Sequence, residues 1–487
     1  DDVVQEETAS TAETQQPDTV PQAEDTSVEV CSIVETLFGD VETLKQACPT
    51  KYEKGREKFP NWKCIPSGDE KTTSGVVTAT GNNGAICVPP RTQELCLHYL
   101  KQLNDQTEIK EHDLKEAFIK TAAQETYLLW QKYKEDKQNE TASTELDIDD
   151  PQNQLNKGII PEDFKRQMFY TFADYKHICL GKDIGNDLVT VKKNITAVFQ
   201  NGAQNPSDQD TDSQRQVFWG TYGKDIWEGM LCALEKAGAK KSLLTEKYNY
   251  SNVTFTDDHR GSKLIEFASR PSFLRWMTEW GDQLCRERIT LLHILNGECQ
   301  QCTLSTDGSC KKNDQGCTQC TAACTIYHGW ITKWQEQYNK QNDKFKTDKE
   351  NIEYMKDEDL KESKEAYEYL GKKLKNITCT SGSNIVYCNC MEETLSTNAS
   401  SEKMPASLDY PPTEIEGKCD CKPPPKKPED APPVPSRPQP SPRSKPKPKP
   451  KPPQPYLPPA LKNAMLSSTI MWSIGIGFAT FTYFYLK

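Results

Sequence analysis

The sequence has few of the residues and none of the patterns on which common enzymes depend. Six histidines are scattered over 487 residues, and the patterns H-E-x-x-H and G-x-S-x-G and the phosphate-binding loop are absent. His177 and Cys179 lie two positions apart on a predicted helix. Their side chains therefore point about 200° apart, and a nucleophile–base pair is not expected. We expect a protein that is not an enzyme and has no cofactor.

Hydrophobic residues are also scarce, at 35% of the chain, which is below the usual range for a globular protein. Small cores then need covalent support, and nineteen cysteines offer it, because each disulfide contributes about 2–4 kcal/mol. Disulfides persist in oxidising compartments, so an extracellular domain is predicted. The odd number leaves at least one thiol free or paired outside the chain. The residues predicted to be structural disulfide cysteines are Cys31, Cys48, Cys64, Cys87, Cys96, Cys179, Cys232, Cys285, Cys299, Cys302, Cys310, Cys317, Cys320, Cys324, Cys379, Cys388, Cys390, Cys419 and Cys421.

Six of these cysteines fall within residues 299–324, where two C-x-x-C pairs have a spacing close to that of a zinc ribbon. Zinc is the alternative to disulfides here. Cys310 and Cys324 interrupt a clean set of four ligands, and the predicted compartment is oxidising, so we expect disulfides and no metal. The C-x-C pairs at 388–390 and 419–421 cannot readily bridge internally. Each is expected to join two distant segments.

The two ends of the chain differ from its middle. Residues 464–486 carry no charge, and 23 residues at ~1.5 Å each give about 34 Å, enough for a transmembrane helix. Residues 422–459 hold 18 prolines and nine lysines or arginines, which predicts an extended proline/lysine-rich stalk of about 120 Å. Residues 1–30 contain nine acids and no base, the composition of an acidic disordered linker.

The orientation of the predicted span is indicated by two conflicting signals. Lysine and arginine are concentrated on its N-terminal side, which by the positive-inside rule would place the large domain in the cytoplasm. The cysteines indicate the opposite orientation and carry more weight, because so many thiols favour an oxidising compartment. The sequence opens without an apolar signal segment and stops at Lys487. We expect it to be the membrane-proximal part of a longer chain.

Charge also limits the partners. The net charge is −11, and the part between the linker and the stalk is itself acidic. An acidic surface repels the phosphate backbone, so no nucleic acid is expected as a partner.

Helical periodicity dominates the rest of the chain, and strand signals are limited to short runs such as 385–387. Polar segments predict loops at 136–158, 201–213 and 305–316. The fold class is therefore mainly α. The predicted helices cover Asp113 to Trp130, Pro161 to a stop at Gly181, Phe273 to Leu284, and Tyr327 to Phe345 with a continuation through Ile352 and Met355.

Several motifs, in order, resemble those of Duffy-binding-like domains. They are YEKGREKFPNWKC at 52–64, CVPPR at 87–91, LCL at 95–97, the helical segment 117–127, DYKHICLG at 174–181, FLRWMTEW at 273–280 and the segment from Cys317 to Trp334. Residues 459–487 resemble the transmembrane end of the erythrocyte membrane protein 1 family of malaria parasites. The resemblance covers about residues 31–487.

The resemblance implies a disulfide-rich, mainly α Duffy-binding-like fold with a cysteine-rich N-terminal lobe and two helical bundles. With the composition of the ends, the predicted organisation is 1–30 linker, 31–104 N-terminal cysteine-rich subdomain, 105–267 helical subdomain, 268–421 C-terminal helical cysteine-rich subdomain, 422–459 stalk and 464–486 transmembrane helix.

The resemblance also implies a function. Such domains are displayed on the infected red cell as single-pass variant antigens with the N-terminal side outside. They bind a host protein, either the Fc part of immunoglobulin M or an endothelial or erythrocyte receptor, in cytoadherence, rosetting or immune evasion. Upstream adhesion domains of the same chain are expected partners. Binding surfaces differ among members, so no ligand-binding residue is carried over. The alternative is a membrane-proximal spacer that projects distal adhesion domains.

Overall fold

In a computed structural model, the chain is described over residues 23–39, 47–48, 61–66, 84–103, 109–144, 150–182, 188–200, 208–256, 261–306, 308–310, 315–350, 354, 356–381, 384–392, 404–415, 417–419 and 421. The helices of this part are α1 (Ala23–Leu37), α2 (Pro90–Gln93), α3 (His98–Gln102), α4 (Glu111–Thr144), α5 (Pro151–Asn156), α6 (Glu162–Cys179), α7 (Val189–Gln200), α8 (Asp208–Lys236), α9 (Lys241–Lys247), α10 (Leu264–Phe267), α11 (Ser272–Cys299), α12 (Gln315–Asp348), α13 (Glu358–Glu362) and α14 (Ala366–Lys373).

Two antiparallel hairpins and three 3₁₀ turns accompany the helices. Strand β1 (Lys63–Pro66) pairs with β2 (Ala85–Val88), and β3 (Thr378–Ser381) pairs with β4 (Asn384–Tyr387). The strand predicted at 385–387 lies within β4 and is confirmed. The 3₁₀ turns are Cys390–Glu392, Ala406–Leu408 and Thr413–Ile415. The prediction of a mainly α, disulfide-rich fold is confirmed.

The N-terminal helices are built around α4 and α8, which pack along each other and against α1. The helix predicted from Asp113 is confirmed, although it begins earlier, at Glu111. In its first turn the Asp113 carboxylate accepts a hydrogen bond from the Lys110 N–H at 2.9 Å. The two helices approach closely at Gly229, where a Cβ would lie 3.0 Å from Cγ2 of Ile119. A larger residue at this position would push α8 away from α4.

Helix α6 is buried on nearly all sides and connects the two halves of the fold. It contacts α4 and α8 as well as α11 of the C-terminal pair. Its predicted limits are confirmed: Pro161 is the N-cap, and the chain turns at Gly181 with a φ of +73°. Glycine adopts that angle without steric cost, which explains why the helix stops there.

Helices α11 and α12 form the C-terminal pair, with α14 and the β3–β4 hairpin packed beside them. Both predicted helices are confirmed and are longer than predicted at one or both ends. The predicted continuation of α12 is wrong, because the helix ends at Asp348. Ile352 and Met355 themselves lie outside the described residues.

Sequence patterns missed α1, α7 and α8. The loop predictions at 136–158 and 201–213 are wrong in part, because α4 runs to Thr144, α5 occupies Pro151–Asn156 and α8 begins at Asp208. The linker prediction is wrong for residues 23–30, which lie in α1 with Val30 fully buried. These are polar segments whose helical form depends on tertiary packing rather than on propensity.

The buried apolar side chains form one main cluster that extends from Val30 to Cys419. The expectation of small cores is therefore wrong for the described residues, while their dependence on covalent support stays a prediction. The expectation of small cores failed because a low overall hydrophobic fraction does not limit how many apolar side chains the fold brings together, and the aromatic members of this cluster each contribute a large buried area.

Nine disulfides cross-link the described residues. They join Cys31–Cys232, Cys48–Cys96, Cys64–Cys87, Cys285–Cys390, Cys299–Cys320, Cys302–Cys317, Cys310–Cys421, Cys324–Cys419 and Cys379–Cys388. The cysteines with zinc-ribbon spacing are thus paired with each other.

Two cysteine predictions need correction. Cys179 was predicted to be a disulfide cysteine, but its thiol is free and buried at the end of α6. Burial raises the pKa of this thiol to about 12, which keeps it in the unreactive protonated form. Cys388 was expected to join a distant segment, but it bonds Cys379 nine residues away, across the β3–β4 hairpin.

The predicted stalk (422–459) and transmembrane helix (464–486), together with most of the linker, lie outside the described residues. Within the described part of the chain, no helix has the length and apolar character needed to cross a membrane.

Candidate functional site

A cavity of about 350 Å³ lies where the first hairpin meets the C-terminal helix pair. We call it the tryptophan pocket. Its walls come from β1 and the residues just before it, from α11 and from α12. It is lined by Asn61, Trp62, Cys64, Glu287, Trp330, Lys333, Trp334, Glu336, Gln337 and Lys340.

Close backbone packing sets the position of the hairpin wall. Gly84 has a φ of +69°, and a Cβ on it would lie 2.2 Å from the Lys344 N atom of α12. Only glycine permits so close an approach. The Cys64–Cys87 disulfide then links β1 to β2, which itself contacts α12. The pocket is therefore preformed rather than assembled on binding.

A chain of hydrogen bonds joins opposite walls of the pocket. The Trp62 Nε1–H donates to Gln283 Oε1 at 3.0 Å, and the Gln283 amide donates to Glu287 Oε1 at 2.7 Å. On the other side, the Trp330 Nε1–H donates to Glu287 Oε2 at 3.1 Å. Both indoles are thus oriented by one pair of side chains on α11.

The tryptophans of the C-terminal pair belong mainly to the core. The Trp280 and Trp334 ring centroids lie 5.2 Å apart, and those of Trp330 and Trp334 lie 5.9 Å apart. Trp62, Trp330 and Trp334 are between 2% and 8% exposed. The pocket therefore offers narrow aromatic edges, and polar side chains make up much of its surface.

Charges of both signs surround the opening. Lys333 is partly buried, and this burial lowers its pKa, while the neighbouring Glu336 carboxylate acts in the opposite direction. An ammonium group that is already partly dehydrated loses less hydration when an anionic group binds. Lys340 and Glu336 are exposed and add one charge of each sign. Such an edge suits polar and charged side chains of a protein ligand.

A buried ionic network holds the chain after β2 against α6 and α11. Arg91 Nη2 lies 2.7 Å from Asp174 Oδ2, and Arg91 also forms a two-point contact with Glu279, both distances being 3.0 Å. Arg275 Nη1 lies 3.1 Å from the other oxygen of Asp174. Burial alone would raise the pKa of Asp174, but Arg91 and Arg275 outweigh it, so that pKa is lowered. These charges lie in the interior and position the elements around the pocket.

A second buried pair strengthens the junction of α6 with α11. The Arg166 guanidinium makes two hydrogen bonds, of 3.0 and 3.1 Å, to the Asp282 carboxylate. Nearby, Asp163 accepts from the Tyr133 hydroxyl at 2.6 Å. Burial opposes ionisation of Asp163, but Lys137 and other cations prevail, and its pKa is lowered to about 2.

The sequence predicted no ligand-binding residue, and the pocket residues were missed. Trp62 lies 268 positions before Trp330, so no local pattern connects them. One signal was present: the two residues fall within separate motifs that carried the family resemblance, at 52–64 and 317–334.

A helical domain cross-linked by disulfides, with mixed charges around a preformed pocket, has the features of a protein-binding module. Comparison with known families agrees. The profile of the Duffy binding domain matches residues 85–422, and the chain belongs to this family. The resemblance noted from the sequence motifs is confirmed.

Individual relatives are distant. The chain is similar to the Duffy receptor beta form of Plasmodium knowlesi, with 24% identity over 274 residues, covering 53% of this chain and 19% of the relative. It is also similar to the Duffy receptor of Plasmodium vivax (strain Salvador I), with 23% identity, covering 53% of this chain and 21% of the relative. The chain thus spans about a fifth of the length of these curated relatives.

Solved structures of similar fold include Plasmodium falciparum Erythrocyte Binding Antigen 140 Region II in complex with sialyllactose. It has 20% identity and a TM-score of 0.49, covering 80% of this chain and 52% of that chain. Another is an ICAM-1-binding PfEMP1 DBLbeta domain, with 19% identity and a TM-score of 0.47, covering 82% of this chain and 96% of that chain.

Proposed function

We propose that this chain is an adhesion module that binds a host protein and is not an enzyme. The observation that carries the proposal is the Duffy binding domain match over residues 85–422, in a family whose curated relatives are named as receptors. The tryptophan pocket supports it, because a preformed site loses little conformational entropy on binding.

The finer proposal concerns place and partner. The domain acts as a variant antigen of the erythrocyte membrane protein 1 type on the infected red cell, with its N-terminal side outside and residues 464–486 in the membrane. Its partner is immunoglobulin M Fc or an endothelial or erythrocyte receptor. The outcome is cytoadherence, rosetting or immune evasion, together with upstream adhesion domains. The disulfide density and the uncharged C-terminal segment support this topology.

The pocket is the part of the surface that we assign to the partner. Lys333 and Lys340 face it from α12, and the Glu287 carboxylate closes it from α11. An acidic or amide side chain of the partner fits this arrangement, because the Lys333 ammonium is already partly dehydrated.

A binding assay tests the proposal. The oxidised ectodomain (residues 1–421) is immobilised and exposed to immunoglobulin M Fc and to endothelial and erythrocyte receptors. We expect saturable binding to one of them, weakened about tenfold by Lys333→Glu and by Lys340→Glu. Lys193→Glu makes the same change in charge on an exposed position of α7 and is the matched control.

Each outcome has a definite meaning. If none of the host proteins tested shows saturable binding, the adhesion proposal is contradicted. Binding that is weakened equally by the pocket variants and by Lys193→Glu shows a general charge effect and removes the pocket from the site.

A second candidate is a membrane-proximal spacer. It is favoured by two disulfides that tie the end of the described chain to the C-terminal pair: Cys419 is bonded to α12, and Cys421 to the segment between α11 and α12. Deleting residues 31–421 from a longer parent chain distinguishes the two, since adhesion survives the deletion only for a spacer.

A further inference from the structure

The disulfides divide the chain into closed loops of very different size. Cys31–Cys232 closes a loop of 201 positions near the start of the domain. At the other end, Cys310–Cys421 and Cys324–Cys419 close loops of 111 and 95 positions. Residues within a closed loop carry no tension once the bond at its base is taut, because force follows the shortest covalent path.

That shortest path is only a small part of the chain. From Cys31 it crosses to Cys232 and follows 67 residues to Cys299. It crosses to Cys320, follows four residues to Cys324, crosses to Cys419 and follows two more residues to Cys421. The path therefore contains 73 residues, against 390 along the backbone.

We propose that this domain has a mechanical function: it is a load-bearing link whose extension is limited covalently. Tension that enters before Cys31 and leaves after Cys421 passes through the segment 232–299 and a few residues of α12. The remaining elements, including the hairpin and the α12 walls of the tryptophan pocket, lie in loops that carry no load. This function does not depend on which partner is bound.

At the C-terminal end of the path, more than one disulfide can connect the chain to the domain. Sulfur atoms of Cys299, Cys320 and Cys324 lie within 4.8 Å of one another, so the two disulfides on the path follow each other over a short distance. Without Cys324–Cys419, the path runs through Cys302–Cys317 to Cys310–Cys421 and lengthens only from 73 to 77 residues. The Lys418 ammonium also donates to the Cys299 carbonyl oxygen at 3.0 Å.

At the N-terminal end of the path, in contrast, the short connection depends on the Cys31–Cys232 disulfide alone. Without Cys31–Cys232, the shortest path uses Cys48–Cys96 and then the backbone from Cys96 to Cys299. It then contains steps of 17, 203, 4 and 2 residues, or 226 in total. Loss of this single disulfide triples the length of chain that force can extend.

Single-molecule stretching tests the proposal. The full oxidised chain is held in detergent with handles at its two ends, and its contour length is measured after complete unfolding. At about 0.35 nm per residue, the part between Cys31 and Cys421 contributes roughly 26 nm when oxidised and about 140 nm when reduced. The segments outside these cysteines add the same length to every sample.

Paired serine variants make the test specific. Replacing Cys31 and Cys232 should lengthen the oxidised chain by about 54 nm, whereas replacing Cys324 and Cys419 should lengthen it by about 1 nm. Replacing Cys48 and Cys96 is the matched control and should change nothing, since that bond lies inside a loop without load.

The readout does not require that a variant fold stably, because contour length depends on covalent connections alone. Peptide mapping without reduction verifies that the other eight bonds are intact. An oxidised chain that extends like the reduced one overturns the proposal, as does a Cys31/Cys232 variant that extends no further than the unaltered chain. Neither result bears on host binding, which the adhesion assay measures separately.

Discussion

His177 makes the stability of this domain sensitive to mild acid. The ring is 3% exposed on α6, and its Nδ1 lies 2.8 Å from Ser272 Oγ. Burial, together with the nearby Arg275 guanidinium, lowers the pKa of His177 to about 2, although the Asp174 carboxylate opposes both. The folded protein therefore keeps this imidazole neutral at pH values where the unfolded chain protonates it.

The sign and size of the effect follow by linkage. The unfolded pKa is about 6.5, so protonation favours the unfolded state as the pH falls below that value and continues to do so down to the folded pKa. Each pH unit in this window costs about 1.4 kcal/mol, so lowering the pH from 6.5 to 4.5 should cost about 2–3 kcal/mol. The buried carboxylates Asp163 and Asp174 have lowered pKa values and lose their stabilising effect only below pH 3.8.

Urea unfolding of the oxidised domain, followed by tryptophan fluorescence at pH 6.5, 5.5 and 4.5, measures this loss. His177→Gln should remove about 2 kcal/mol of the pH dependence, because glutamine does not titrate. His328→Gln, at an exposed position of α12, is the matched control for replacing a histidine by glutamine. If His177→Gln and the unaltered protein lose stability in parallel, His177 is protonated in the folded state and the reasoning is refuted.

Three further predictions concern the pocket walls and the interior. Gly84→Ala should destabilise the domain by about 2 kcal/mol or more and weaken partner binding, because the new methyl group meets the backbone of Lys344. Thermal unfolding measures the loss of stability, and the adhesion assay measures the loss of binding. An unchanged melting temperature would contradict the close packing. Arg91→Met should cost about 3–5 kcal/mol in urea unfolding, since it leaves the buried Glu279 carboxylate without its guanidinium partner and Asp174 with Arg275 as its remaining cation. A cost below about 1 kcal/mol would show that Glu279 is protonated or hydrated. The Cys179 thiol should resist alkylation in the native protein and react fully in denaturant, as measured by mass spectrometry. Rapid alkylation of the native protein would show that α6 opens.

Helices with a regular apolar stripe were predictable from the sequence. The helix from Pro161 to Gly181 combined an N-terminal proline, apolar residues at helical spacing and a stop glycine, and all three signals agree with α6. Helix α8 has 29 residues, more than the 18 of α6, but it lacked such a pattern, because its N-terminal part is polar. Its form depends on packing along α4, which local sequence does not reveal.

The covalent framework was only partly predictable. Cysteine content indicated disulfides, and oxidising conditions favoured them over zinc, but pairing depends on which cysteines the fold brings together. Cys179 illustrates the limit: it lies in one of the family motifs and was predicted to be bonded, yet it is buried as a free thiol at the end of α6.

What the sequence by itself determined is the class of the protein: mainly helical, rich in disulfides and a member of the Duffy binding domain family. These properties follow from composition, local periodicity and short motifs, which need no knowledge of distant contacts. Only the tertiary structure decided the disulfide pairing, the tryptophan pocket and the path of tension. With the exception of the Cys379–Cys388 hairpin bond, these join residues more than ten and up to hundreds of positions apart, and such proximity arises from packing of the whole chain rather than from any segment of it.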